Sequence, residues 1–193
     1  MICNITAERS GVQSGQLLAY RNQAWNVMGN GEMVESSFYQ APKLQNKLIF
    51  VRHGESEAAR DNMFSGTIDS PLTDKGRGQA KETAQKLKGA NITKIITSDL
   101  SRAADTAQII KDELGLTPEI EVWPEITEFD WGKFEGTHFE SKEDLEKAAE
   151  VETGETSAQI LARAKDVWKR LGSVQTEGEI LIAGHNTLTA ALY

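Results

Sequence analysis

IFVRHGESEAARDN, residues 49–62, begins with a strongly apolar run and ends in a cluster of charged side chains. Its first three residues have the β-branched and aromatic character that a buried strand favours. Arg52 and His53 follow this run directly, without an intervening polar residue. Because open α/β sheets bind ligands at the carboxyl ends of their strands, a cation and an imidazole in this position indicate a functional site.

The composition is that of an ordinary soluble domain. The 193 residues are enough for one full-sized domain with its own core and too few for two. No apolar run approaches the roughly 20 residues of a membrane-spanning helix. The net charge of −8 argues against nucleic acid as the main partner. Cys3 is the only cysteine, and the first residues lack the pattern of a signal peptide, so we expect a cytoplasmic protein without an internal disulfide.

Strand patterns alternate with helical patterns along the chain. Apolar runs predict strands at residues 47–51, 94–97, 120–123 and 179–183. Helical periodicity predicts helices at 74–88 after the N-cap Thr73, at 99–114 before Gly115, and at 157–171 after a capping box of Thr156 and Gln159. This alternation predicts an α/β fold, a three-layer α/β/α domain with a mostly parallel central sheet. The acidic stretch 140–155 is interpreted as a solvated helix or loop.

Polar residues follow three of the predicted strands. Arg52 and His53 follow the first, Arg102 lies in the segment after the second, and His185 follows the last. We expect these side chains to converge on an anion site, and guanidinium groups suit phosphate. One imidazole could serve as a neutral nucleophile or as a cationic clamp. Taken singly, each histidine could be structural and Arg102 a charge on a helix surface; convergence of separate segments favours a site.

Five segments carry a family resemblance. They are VRHGES (51–56), FSGTIDSPLTDKGRGQA (64–80), SDLSRAADTA (98–107), ITEFDWGKFEG (126–136) and AGHN (183–186). In this order they resemble the motifs of the histidine phosphatase superfamily, also called the phosphoglycerate mutase-like family, over about residues 47–192. The resemblance implies the same α/β fold and a two-step phosphoryl transfer.

The resemblance implies roles for the converging residues. His53 would attack phosphorus and become a phosphohistidine, which water then hydrolyses. Arg52, Arg102 and His185 would hold the phosphoryl oxygens and stabilise the transition state. No metal or other cofactor is expected, because the chain has three histidines and one of them, His138, lies next to an acidic stretch.

The resemblance also implies a proton donor and contacts to the substrate. Glu128 would protonate the leaving alcohol and later deprotonate water, and Asp130 is a nearby competitor for this role. The family usually has an asparagine at the position of Ala59, which Arg60 or Asn62 could replace. The phosphate- and substrate-binding candidates beyond the central residues are therefore Arg60, Asn62, Ser65, Gly66 and Asn186.

The two ends of the chain depart from the family pattern. The family usually continues through a helix and another strand after the second histidine, whereas this sequence stops at Tyr193. Residues 23–38 resemble a hairpin around Asn30-Gly31, and 39–46 a linker. We predict one circularly permuted domain over 1–193 in which residues 1–38 supply the C-terminal portion and 47–193 the main catalytic part. An unrelated N-terminal extension or a domain swap would fit the same sequence.

The resulting functional hypothesis is a metal-independent phosphatase that acts on a small phosphomonoester. The alternatives are a phosphoglycerate mutase-type phosphotransferase and a non-enzymatic phosphate-binding module. Mutases usually carry an arginine where this chain has Phe129, which favours the phosphatase. We expect a small phosphorylated substrate, no nucleic acid or membrane partner, and a monomer or homodimer.

Overall fold

A computed structural model of the protein describes residues 5–6, 46–141, 143–144, 147–148 and 153–192. Its named strands are β1 (Ile5–Thr6), β2 (Leu48–Arg52), β3 (Ile92–Thr97), β4 (Ile120–Val122) and β5 (Glu179–Gly184). Its named helices are α1 (Glu57–Arg60), α2 (Asp74–Lys86), α3 (Ser101–Leu114), α4 (Ser157–Ser173) and α5 (Asn186–Leu192), with 3₁₀ turns at Pro124–Ile126 and Gly132–Phe134. Within the described ranges no helix is both long enough and apolar enough to cross a bilayer.

The strands form one sheet in the order β1-β2-β5-β3-β4. β2, β5, β3 and β4 are parallel, and β1 is antiparallel to β2 at the edge. Arg52 is in register with Gly184, and Thr97 with Ala183, so β2, β5 and β3 end at one side of the sheet. The predicted α/β fold with a mostly parallel sheet is confirmed.

The central strands β2 and β5 are buried on both faces, which explains their mainly apolar sequences. On one face, strand residues pack with α4 in a cluster that includes Phe50, Ile96, Ile182, Val167 and Leu171. On the other face they pack with α2 and α3 in a cluster that includes Ile95, Leu181, Ala84, Ala107 and Ile110. Neighbouring strand residues point to opposite faces, so each run supplies both clusters. The three layers hold the strand ends rigidly.

The helix boundaries follow the predicted capping residues, with one exception. The Thr73 hydroxyl accepts a hydrogen bond from Gly76 N, and Thr156 forms the expected capping box with Gln159. Gly115 ends α3 in the left-handed conformation, with a φ of 62°. The predicted start of that helix at residue 99 is wrong, because the helix begins at Ser101 and the preceding residues form a loop.

Most of the predicted permuted segment lies outside the described residues. This holds for residues 1–4 and 7–45, which include the predicted hairpin and most of the linker, and for Tyr193. Ile5 and Thr6 pair with Phe50 and Ile49 at the sheet edge. Circular permutation within a single domain remains a prediction.

A contact between two glycines places the loop after His53 against α2. A β-carbon on Gly54 would lie 2.3 Å from Gly76 O, and one on Gly76 would lie 2.1 Å from Glu55 O. Thr73 N also donates a hydrogen bond to Glu55 O at 2.9 Å. Only glycine permits this approach of two backbones, so the first turn of α2 fixes the position of the loop.

We expect Gly76→Ala to lower the free energy of unfolding by about 1–3 kcal/mol, because its methyl group would overlap backbone atoms that must then move. Gly78→Ala is the matched control in the same helix, since a β-carbon there meets nothing within 4 Å. It should stabilise the protein by about 0.5–1 kcal/mol through helix propensity. Urea denaturation measures both values, and equal effects would contradict the close contact.

Candidate active site

The carboxyl ends of the central strands bring two histidines together. His53 follows β2 and His185 follows β5, and their ring centroids lie 5.2 Å apart at an interplanar angle of 58°. The backbone N–H of His53 donates to Gly184 O at 3.0 Å, which continues the strand pairing into the site. The structure therefore brings together the two imidazoles that the sequence placed after separate strands.

The hydrogen bonding of His53 fixes which nitrogen is free. Nδ1 lies 2.7 Å from Gly54 O, and a carbonyl oxygen can only accept, so Nδ1 carries the proton. Nε2 then presents its lone pair. Desolvation is the main cause that lowers the pKa of His53 to about 3, and the charges of Arg102 and Arg52 lower it further, against the bond to Gly54. The imidazole is therefore neutral near pH 7, as a nucleophile requires.

A buried serine orients the second histidine. Ser98 Oγ lies 2.7 Å from His185 Nε2 and accepts a hydrogen bond from Leu100 N at 3.3 Å. The hydroxyl can still donate while it accepts from Leu100 N, and we assign its proton to the bond with Nε2, which places the His185 proton on Nδ1. Desolvation lowers the pKa of His185 well below its usual value, as do the charges of His53 and the arginines. Buried Nδ1 has no partner among the residues that the structure describes and is available as a donor to an anion.

Arg102 is a fully buried cation, so its interpretation as a helix-surface charge is wrong; its exposed fraction is 0%. One guanidinium nitrogen donates to Ile68 O at 2.9 Å and the other to Gly66 O at 2.6 Å, while buried Nε has no protein partner. Burial lowers the pKa of Arg102, and the nearby Glu128 carboxylate opposes this most strongly. The guanidinium remains charged and keeps N–H groups available for an anion.

Arg52 completes the positive charge of the cluster. It is the last residue of β2, and its side chain is exposed. Its charge contributes to lowering the pKa of both His53 and His185, which places the guanidinium within electrostatic reach of the two rings.

Glu128 is attached to the segment that follows His185. Its Oε1 accepts hydrogen bonds from Phe129 N at 2.9 Å and from Thr187 N, in the first turn of α5, at 3.3 Å. Asp130 is held separately, with Oδ1 accepting from Gly132 N at 2.7 Å. Both carboxylates line one cavity of about 260 Å³. Both proton-donor candidates thus lie at one cavity, and the charge of Glu128 acts on Arg102.

The substrate-side loop at Gly66 is fixed from two directions. Arg102 donates to the carbonyl oxygens of Gly66 and Ile68. The Glu135 carboxylate accepts hydrogen bonds from Thr67 N at 2.7 Å and from Thr67 Oγ1 at 2.8 Å. Gly66 has a φ of +44°, and a β-carbon there would lie 2.0 Å from Glu135 Oε1. The loop therefore requires glycine at this position, and Glu135 is a structural partner that the sequence analysis did not identify.

The remaining candidates have different surroundings. Arg60 is exposed and makes a bidentate ion pair with Asp61, with N–O distances of 2.7 and 2.9 Å. Asn62 is exposed in the left-handed region with a φ of 52°, which asparagine tolerates. Ser65 is half-buried beside Gly66, and Asn186 is exposed at the start of α5. Arg60 is thus engaged by Asp61, and its role as a phosphate contact stays a prediction.

Arg163 and Glu155 form an ion pair that supports the loop before Glu128, and the sequence analysis did not identify it. Arg163 pairs with Glu155 through two hydrogen bonds of 2.8 and 2.5 Å. It also donates to Glu125 O at 3.1 Å and to Thr127 O at 2.7 Å, on the residue before Glu128. The acidic stretch was interpreted as solvated, yet its last residue is mostly buried. Helical periodicity located α4 but gave no signal for this contact.

No metal-binding arrangement is found among the residues that the structure describes. None of them form a group of three or more histidine, cysteine, aspartate or glutamate side chains that could hold a metal ion.

The sequence profile of the histidine phosphatase superfamily (branch 1) matches residues 48–193. The chain belongs to this superfamily, which confirms the resemblance. A probable phosphoglycerate mutase GpmB from Enterobacter sp. (strain 638) is 40% identical over 101 residues, or 52% of this chain and 46% of the relative. The chain thus spans about half the length of this curated relative.

Two solved phosphatases share the fold. The alpha-ribazole phosphatase from Shigella flexneri is 26% identical, with a TM-score of 0.63 over 74% of this chain and 75% of its own. The mycobacterial glucosyl-3-phosphoglycerate phosphatase is 25% identical, with a TM-score of 0.65 over 75% of this chain and 78% of its own. Superfamily relatives therefore include both phosphatases and mutases.

We expect Ser98→Ala to lower kcat about 100-fold, because His185 would no longer be restricted to the tautomer that donates from Nδ1. The ¹⁵N chemical shifts of the His185 ring report the tautomer directly. Ser101→Ala is the matched control, since it removes a buried hydroxyl without a protein partner. An unchanged tautomer in Ser98→Ala would contradict this role.

Proposed function

We propose that the protein is a metal-independent phosphatase that hydrolyses a small phosphomonoester through a phosphohistidine on His53. The observation that carries the proposal is the neutral His53, whose Nδ1 is bound to Gly54 O and whose Nε2 is free, beside a buried and partly unpartnered Arg102. The combination supplies a nucleophile and an anion site in one place. The two related phosphatases support hydrolysis as the reaction class.

In the first step the His53 Nε2 lone pair attacks phosphorus and the bond from phosphorus to the ester oxygen breaks. Arg52, Arg102 and the Nδ1–H of His185 hold the phosphoryl oxygens as charge develops on them. Glu128 gives its proton to the departing alkoxide. The products of this step are the free alcohol and the phosphorylated imidazole.

In the second step water attacks the phosphohistidine, and the Glu128 carboxylate takes a proton from that water. The bond between phosphorus and Nε2 breaks, its electron pair returns to the imidazole, and phosphate leaves. The Nδ1 hydrogen bond to Gly54 O is present throughout, so the ring returns to the same tautomer. Atoms and protons balance without a further reactant.

One position favours hydrolysis over mutase chemistry. Phe129, where mutases usually carry an arginine, is only 6% exposed and packs edge-to-face on Trp131 with ring centroids 4.9 Å apart. An apolar ring in the core offers no charge to a phosphoglycerate. Because a curated relative is named a probable mutase, product analysis with phosphoglycerate distinguishes isomerisation from hydrolysis.

We expect His53→Ala to abolish hydrolysis of p-nitrophenyl phosphate, measured in excess chelator, because the one other imidazole that the described residues place there, His185, has its Nε2 bound to Ser98 and its proton on Nδ1. Rapid-quench trapping should find acid-labile, base-stable phosphate on the wild type and none on the variant. His138→Ala is the control, since its exposed ring contacts Asp61 O away from the cluster. Wild-type turnover in His53→Ala would refute the mechanism.

We expect Glu128→Gln to slow alkyl phosphates at least tenfold more than p-nitrophenyl phosphate, because an acidic phenol leaves without a proton. Asp130→Asn tests the competing carboxylate in the same cavity. The leaving-group dependence should change in the first variant only. If Asp130→Asn shows the larger dependence, Asp130 is the proton donor.

A further inference from the structure

The cavity next to Glu128 is the place for the alcohol part of the substrate. The unpartnered Arg102 Nε and His185 Nδ1, both buried, mark the phosphoryl end of the site. Under the proposed function, Glu128 contacts the ester oxygen that leaves. Since Glu128 also lines the cavity of about 260 Å³, the group attached to that oxygen extends into it.

The charges that line this cavity are mainly negative. Asp130 and Glu155 contribute carboxylates, Glu128 carries the proton that it gives to the leaving group, and Arg163 is the one cation among the lining residues that the structure describes. Four of the five N–H groups of Arg163 are already used, two on the Glu155 carboxylate and two on the carbonyl oxygens of Glu125 and Thr127. Arg163 therefore has little capacity to pair with an anion in the cavity, and its charge is balanced by Glu155, which leaves the negative charge of Asp130 on the lining.

The same lining suits hydroxyl groups. The carboxylate of Asp130 and the carbonyl oxygen of protonated Glu128 can accept hydrogen bonds from alcohol O–H groups. Gln159 uses its side-chain oxygen on Thr156, with bonds of 2.8 and 2.9 Å, which leaves its amide N–H groups as donors. The cavity is also smaller than the roughly 300–1,000 Å³ of sites for drug-sized ligands, which are mostly apolar. Its size and chemistry fit a short hydroxylated chain or a single sugar ring.

We infer that the physiological leaving group is an uncharged, hydroxylated alcohol, and that the carboxylates of this cavity reject an alcohol that carries a carboxylate or a second phosphate. The inference rests on the proposed phosphatase activity and adds the substrate class. Asp130 acts here as a specificity-determining residue, because its carboxylate lines the cavity while its Oδ1 is held by Gly132 N.

The test compares glycerol 3-phosphate with 3-phosphoglycerate, which differ in a terminal CH₂OH against a carboxylate. We expect kcat/KM of the wild type to be at least tenfold higher for glycerol 3-phosphate. Asp130→Asn should narrow this ratio severalfold by removing one negative charge. Glu177→Gln, with the same change of charge, should leave the ratio unchanged, because Glu177 precedes β5 and lies about 20 Å from its carboxyl end.

Each result has a separate meaning. A ratio near one, or a preference for 3-phosphoglycerate, overturns the inference while hydrolysis of p-nitrophenyl phosphate upholds the proposed function. A tenfold preference for phosphoethanolamine over glycerol 3-phosphate also overturns it, because the cavity would then select a cation. If Asp130→Asn and Glu177→Gln both lower the ratio of the two kcat/KM values, the preference comes from the net charge of the protein. That result would overturn the role of Asp130. Failure to hydrolyse p-nitrophenyl phosphate would refute the proposed function, and the inference with it.

Discussion

The parallel register of the central strands is the constraint on which the site depends. Arg52 pairs with Gly184 and Thr97 with Ala183, so the residues that follow β2, β3 and β5 begin at nearly one level. A slip of two residues would move a side chain by about 7 Å, farther than the bond between Ser98 and His185 could follow. A slip of one residue would turn it to the opposite face. The two buried faces of the sheet hold this register.

The candidate site residues lie on two kinds of structural element, strand ends and loops. His53, the proposed nucleophile, and His185 lie at strand ends, where packing on both faces permits little movement. The proton-donor candidates and the cavity lining come from loops that Arg163 attaches to α4. Phosphoryl transfer requires the same geometry for every ester, whereas the alcohol differs between substrates. A rigid reaction centre with a separately supported recognition loop meets both requirements.

Local patterns predicted the strands and most helix boundaries, because apolar periodicity and capping residues such as Thr73 act within a few positions of the chain. The convergence of His53 and His185 followed from strand topology. The sequence did not reveal the bond between Ser98 and His185, which are 87 positions apart, or the attachment of Arg163 to Thr127. Such contacts depend on how whole elements pack. Motif spacing made Arg60 a candidate but could not show that Asp61 occupies its guanidinium.

The buried cluster implies a trade-off between stability and activity. Desolvation and nearby positive charge lower the pKa of both histidines, which destabilises the fold as pH falls below the ordinary histidine value of about 6.5, and burial opposes the charge of Arg102 at neutral pH as well. An anion that binds them reverses part of this loss, by about 2.7 kcal/mol when its concentration is 100 times its Kd. Inorganic phosphate, the expected product, is such an anion. Product inhibition and ligand-induced stabilisation would then share one origin, and a buffer containing phosphate would raise Tm while it slows turnover.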